Sequence, residues 1–204
     1  MNALAIAART IVFLSALITA VASTNATDRP TEWAQPLSLK GVPNVHQVAP
    51  GLYRSAQPTE EGMKNLEKFG IRTVIDLRAY HDDKDEMKGT RLQRISIPMN
   101  TWGLAEEHVI RFLQAATDTN RAPILVHCQH GADRTGTMCA VYRMTVQGWP
   151  REAATREMTE GGFGFHVVWG NLIEFLKRAD VDAIRRKAGI AQRVNAATLA
   201  QPSR

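Results

Sequence analysis

Apolar side chains along this chain keep two different rhythms, and the alternation between them is the first thing its fold depends on. Residues 73–77 (Thr-Val-Ile-Asp-Leu) and 123–128 (Pro-Ile-Leu-Val-His-Cys) are short, mostly apolar and β-branched runs, the kind buried on both faces of a sheet. Residues 92–97 form a third such run with partial alternation. Residues 42–48 and 51–55 read as two further short strands around Ala49-Pro50-Gly51, a turn that Pro and Gly specify. Helical spacing fills the gaps. Pro58 and Thr59 open a helix that runs through Phe69 and ends at Gly70. Within 105–118, Val109, Ile110, Leu113 and Ala116 make one stripe. After Arg134 come three helical segments, 134–147, 151–160 with Pro150 beside its start, and 168–187, with no strand between them. This order predicts an α/β domain whose sheet is completed by the 123–128 strand.

The ends of the chain read differently. Arg9 precedes the apolar run 11–22, about 12 residues long and too short to span a bilayer, and Ala20-Val21-Ala22 offers a small-x-small cleavage site. A signal peptide over 1–22, cleaved near Ala22, is therefore expected, with a periplasmic or secreted product and no integral membrane span afterwards. Residues 23–41 are polar and proline-containing, the pattern of a linker. A catalytic domain is expected over 42–188 and a basic tail over 189–204. The net charge of +5 does not indicate a polyanion partner. Arg185, Arg186, Lys187, Arg193 and Arg204 follow Ile184 without an acidic residue after them, and residues 23–184 hold 19 basic against 20 acidic side chains. With no basic face interleaved with aromatics, nucleic acid is not an expected partner.

The candidate chemistry lies where the last strand meets a helix, in His127-Cys128-Gln129-His130-Gly131-Ala132-Asp133-Arg134-Thr135-Gly136. Backbone N–H groups of a tight loop, converging with the positive end of the next helix, cradle phosphate oxygens. Gln129, His130, Gly131, Ala132, Asp133 and Arg134 are the expected substrate-binding residues. Gly131 lets the loop curl, and Arg134 offers its planar fork to two oxygens. The same field favours thiolate at Cys128, the expected nucleophile, and attack on phosphorus would form a phosphocysteine. The Thr135 hydroxyl is placed to donate to the sulfur as it leaves, and His127 to orient the loop. Cys128 and Cys139 are about three helical turns apart, too far for a disulfide. His127, His130 and Cys128 lack a second ligand pair at zinc spacing, so no metal or other cofactor is expected.

These residues resemble the protein tyrosine and dual-specificity phosphatases, which carry Cys-x5-Arg followed by Thr-Gly with His before the Cys. The residues 51–55, 73–78, 142–149 and 161–164 are similar to exported bacterial dual-specificity phosphatases, so the likeness covers about 45–178. It implies a central mixed, mostly parallel sheet flanked by helices, metal-free chemistry, and a phosphorylated protein or small phosphoester as substrate. An inositol phosphate or other small phosphoester phosphatase, and a non-catalytic phosphate-binding module, are the alternatives. Gln129, Ala132 and Asp133 add no cation to the loop, and Asp133 would repel extra phosphates, which favours a protein substrate.

One part of the family pattern is missing. The stretch 97–107 holds no aspartate to protonate the leaving oxygen, its only carboxylates being Glu106 and Glu107, which also suit a helix N-terminus. Asp133 inside the loop is the rival donor, and an enzyme with no strong acid is the third possibility. Arg54 and Arg78 end predicted strands on the side of the loop, either to contact substrate or as solvated or ion-paired surface arginines; His166 is placed to wall the pocket, Trp102 to line its entrance or simply to pack, and Trp169 to pack in the core or to wall the pocket.

Overall fold

The computed structural model describes residues 29–190. The leader expected over 1–22 and the tail beyond Ile190 lie outside the described residues. The sheet contains β1 (Gln35–Pro36), β2 (His46–Ala49), β3 (Leu52–Ser55), β4 (Thr73–Arg78), β5 (Gln93–Met99) and β6 (Ile124–His127). Their spatial order is β1-β2-β3-β6-β4-β5. The β1–β2 and β2–β3 pairs are antiparallel, while β6 runs parallel to both β3 and β4, and β4 runs parallel to β5. The sheet is therefore mixed and mostly parallel, as expected. The strand latest in sequence sits at its centre, with Ile124, Leu125 and Val126 fully buried.

Among the described residues six helices cover it: α1 (Glu60–Phe69), α2 (Glu106–Ala116), α3 (Asp133–Thr145), α4 (Arg151–Glu160), α5 (Gly170–Arg178) and α6 (Val181–Ala188). Alternation along the strands sorts the core into two layers. Ile75, Leu77, Ile124 and Val126 point toward α2 through α6, where they meet Phe112, Leu113, Met138 and Val141. Val74 and Leu125 point the other way, onto Met63 and Leu66 of α1. Among the described residues, α1 is the helix on that second face, and the segment before β2 (Val42, Val45) and the charged loop between β4 and β5 (Met87) pack beside it.

Two expectations need correction. The helix foreseen over 168–187 is three pieces: a 3-10 turn at Val167–Trp169, then α5, then α6 after a break at Ala179–Asp180. The Asp180 carboxylate accepts from the Ala183 N–H at 2.9 Å and starts α6 as its cap. Periodicity continued across the break, and the capping residue outweighed it. Residues 29–41, read as linker, pack onto the domain. Ala34 is buried and its N–H donates to Glu157 Oε1 at 2.6 Å, while Arg29 donates to the Gly161 carbonyl at 2.6 Å and lies 5.1 Å from the Phe163 ring centre. A single buried alanine left no apolar run to betray this arm.

Candidate active site

At the C-terminal end of β6, where parallel sheets open toward ligands, the chain passes through Cys128 into the loop 129–132, and α3 begins at Asp133. Three consecutive carbonyls of that loop are drawn back onto the scaffold. Gln129 accepts from the Gln57 N–H at 3.1 Å, His130 from Asn44 Nδ2 at 3.0 Å, and Gly131 from Arg54 Nη2 at 2.6 Å. In a planar trans peptide the N–H points opposite to its own C=O. The N–H groups of 130, 131 and 132 are thereby turned away from the scaffold. No hydrogen bond from the N–H of 129–132 is made to any group among the described residues, and the first N–H groups of α3 lack intrahelical acceptors. Together they form a row of free donors. Gly131 is required for this curl. Its φ is +70°, and a Cβ there would meet the backbone of Ser55 and Ala56 at 2.5 Å.

Cys128 lies at the base of the loop, almost fully buried, and both it and Cys139 are free thiols. Burial pushes the Cys139 thiol up, with Arg54 opposing, so Cys139 is held as a neutral core residue. Arg54 itself is a buried cation with no salt bridge among the described residues, stacked 3.6 Å from the Phe163 ring centre. Burial lowers its pKa, while attraction from Cys139, Glu157 and Cys128 supports the charge. Arg54 thus supports the loop from behind and does not line the cavity above it.

Beneath the loop, on the α1 face, a carboxylate that sequence inspection missed holds His127. Asp83 is fully buried, and its Oδ2 lies 2.8 Å from His127 Nε2 while Oδ1 accepts from Gln57 Nε2 at 2.8 Å. Burial alone would raise the Asp83 carboxyl, but the hydrogen bond and charge of His127, joined by Gln57, hold it below the ordinary value. Gln57 also accepts from Arg78 Nη1 at 3.0 Å. The sequence of this loop, His81-Asp82-Asp83-Lys84-Asp85-Glu86, carries no signal that separates Asp83 from its exposed neighbours. Asn44 and Gln57 carry no such signal either: Asn44 lies within the run 42–48 read as a strand, and Gln57 looks like a turn residue before Pro58.

Above the loop opens a cavity of about 460 Å³ lined by Gln129, His130, Asp133 and Arg134, by Arg78 and Tyr80, and by Trp102, His166 and Trp169. Arg134 Nη1 rests on the Met99 carbonyl at 3.2 Å. Trp102, two-thirds exposed, and Trp169 face one another at 6.3 Å across the rim. Thr135 is buried, with a hydroxyl that makes no hydrogen bond among the described residues. His130, Asp133 and His166 bring potential ligand atoms together at the mouth of the cavity, unlike the His127, His130 and Cys128 set weighed from sequence. Glu106 is a correction. It does not line the cavity but pairs with Lys187 at 2.6 Å on the neighbouring face, where α6 packs beside α2.

A family model described as a DSP-PTPase phosphatase fused to NAD+ kinase matches residues 43–165. The dual specificity protein phosphatase TpbA of Pseudomonas aeruginosa is 33% identical over 165 residues, covering 80% of this chain and 74% of that one. A crystal structure of P. aeruginosa TpbA in complex with pTyr matches with a TM-score of 0.72 at 30% identity, over 80% of this chain and 99% of that one. The catalytic core of a PP-IP phosphatase from S. cerevisiae, in complex with citrate, shares the fold at 22% identity, with a TM-score of 0.65 over 74% and 94% of the two chains. A strand-to-helix loop that presents free amides around a buried cysteine, found within a sequence matched along most of its length, assigns the chain to the family of dual-specificity and tyrosine phosphatases.

Proposed function

We propose that this enzyme hydrolyses phosphate monoesters through a phosphocysteine on Cys128, with phosphotyrosine and phosphoserine or phosphothreonine in proteins as its substrates. The observation that carries this reading is the triple tether of the 129, 130 and 131 carbonyls, which aims successive amides at one anion before any anion arrives. Arg134 adds its fork, and the thiolate attacks in line as the ester oxygen departs. The unpartnered Thr135 hydroxyl is free to donate to sulfur when water cleaves the intermediate. His127, fixed by Asp83, sets the loop's starting direction.

Several features favour a protein substrate. The TpbA structure holds pTyr, and the aromatic rim of Tyr80, Trp102 and Trp169 suits a ring-bearing ester. A relative from Arabidopsis thaliana, 28% identical over 114 residues, is an inositol diphosphatase, but Gln129, Ala132 and Asp133 here supply no cation for a second phosphate. We further propose export, on the strength of the leader pattern over 1–22. The mass of the mature protein from a periplasmic fraction tests it, and retention of residues 1–22 would refute it.

The decisive assay sets phosphopeptides, aryl phosphates and phosphoinositides side by side. Phosphopeptides and aryl phosphates are expected to turn over, vanadate to inhibit, and chelators to have no effect. Cys128→Ser is expected to abolish turnover while phosphate binding persists. Chelator-sensitive hydrolysis, or an active Cys128→Ser variant, would overturn the mechanism, and exclusive turnover of phosphoinositides would overturn the substrate class.

A further inference from the structure

The stretch 97–107 offers no carboxylate to the cavity, Glu106 being engaged with Lys187 on another face. Asp133 is the carboxylate at the cavity, and its oxygens are both occupied. Oδ1 accepts from the backbone N–H of His166 at 2.9 Å, and Oδ2 lies 2.9 Å from His166 Nδ1. A proton on Oδ2 would point at the imidazole, not at a substrate. The other ring nitrogen, Nε2, makes no hydrogen bond among the described residues, and the side chain is about half exposed at the mouth of the cavity. An imidazole oriented at one nitrogen by a carboxylate and open at the other has the arrangement of a general acid and base.

We propose that His166, held by Asp133, protonates the leaving group in place of an aspartate. This assignment rests on the phosphatase reading above. In the first step the Cys128 thiolate forms the S–P bond, the P–O ester bond breaks with its electron pair on oxygen, and the Nε2 proton of imidazolium passes to that oxygen. The alcohol or phenol leaves, with phosphocysteine and neutral His166 remaining. In the second step Nε2 takes a proton from water as the water oxygen bonds to phosphorus, and the S–P pair returns to sulfur. Inorganic phosphate, thiolate and imidazolium are restored. The charged and titratable groups facing His166 are Asp133 and Arg134 of α3, His130 of the loop at a ring separation of 5.2 Å, and Arg78 and Tyr80 across the cavity.

Leaving groups separate this role from a structural one. Aryl phosphates ranging from p-nitrophenyl to phenyl are assayed with wild type, His166→Gln, His166→Ala, His130→Gln and Asp133→Asn. For His166→Gln, kcat on p-nitrophenyl phosphate is expected to fall only a few-fold and kcat on phenyl phosphate by about 10²-fold, with little change in KM. The alkaline limb of the kcat profile is expected to disappear. Added imidazole is expected to restore phenyl phosphate turnover to His166→Ala, Asp133→Asn to show a weaker version of the same dependence, and His130→Gln to show none. Equal losses on all leaving groups, an unchanged alkaline limb, or the effect following His130 in place of His166 would overturn the assignment while leaving the phosphatase intact. A wild type that hydrolyses no member of the series would bring down the phosphatase reading and this one with it.

Discussion

Two aspartate–histidine pairs bracket the same loop, and their surroundings divide their work. Asp83 and His127 meet at 2.8 Å with neither side chain exposed. Asp133 and His166 meet at 2.9 Å with the imidazole about half exposed. The distances are nearly equal, but the first pair is sealed under the sheet and the second opens into the cavity. In the sealed pair, desolvation makes each partner depend on the other, and loss of one strands a buried polar group. In the open pair, water can replace either partner, so the pair contributes less to stability and is free to exchange protons.

The comparison breaks if the two pairs respond alike to mutation. Asp83→Ala is expected to lose about 3–5 kcal/mol of folding free energy, the cost of breaking a buried pair. Asp133→Ala is expected to lose about 1–2 kcal/mol, from a helix N-terminal charge and the part-buried hydrogen bonds to His166. Urea unfolding of both variants checks the difference. Gly131→Ala comes next, because its Cβ has no space and its φ is positive. We expect a loss of about 1–3 kcal/mol together with most of the turnover, read from melts and from kcat on an aryl phosphate.

The pH dependence sharpens the contrast further. Asp83 is held below its ordinary pKa, so its contribution is complete above that ordinary value, about 4, and is lost as pH falls through the lowered one. Melts from pH 7 down to 3 are expected to show a steeper acid decline in wild type than in Asp83→Asn. Asp76, whose carboxyl burial pushes up, has the opposite sign: its ionisation lowers stability as pH rises through the raised value. Asp76→Asn is expected to melt slightly higher than wild type at neutral pH. Glu106→Gln, which removes an exposed ion pair, is expected to leave Tm and kcat essentially unchanged.

What could be read from the sequence, and what could not, follows the range of the interactions. The central strands and α3 were legible because burial on both faces forces a continuous apolar run, and the loop because Cys128, Gly131 and Arg134 each answer a local requirement. Asp83, Asn44 and Gln57 were not legible. Each is polar, none carries a local signal of its role, and each is recruited by a loop between 44 and 86 residues away in sequence. Arg54 was legible as a residue near the site but not as a buried one, since nothing local announces that Phe163 will cover its guanidinium. The proton donor stayed open for a related reason: His166 and Asp133 are 33 residues apart and meet only when the segment after α4 folds back over α3.

The packed N-terminal arm bears on where this molecule can be cut. Arg29 reaches the Gly161 carbonyl and the Phe163 ring, Phe163 covers Arg54, and Arg54 grips the Gly131 carbonyl. A fragment trimmed to the span shared with the family model, 43–165, would discard the first link of that chain along with His166, the helices α5 and α6, and Glu157's partner at Ala34. Such a fragment would keep every residue of the Cys-x5-Arg signature while losing the props that hold its amides in place.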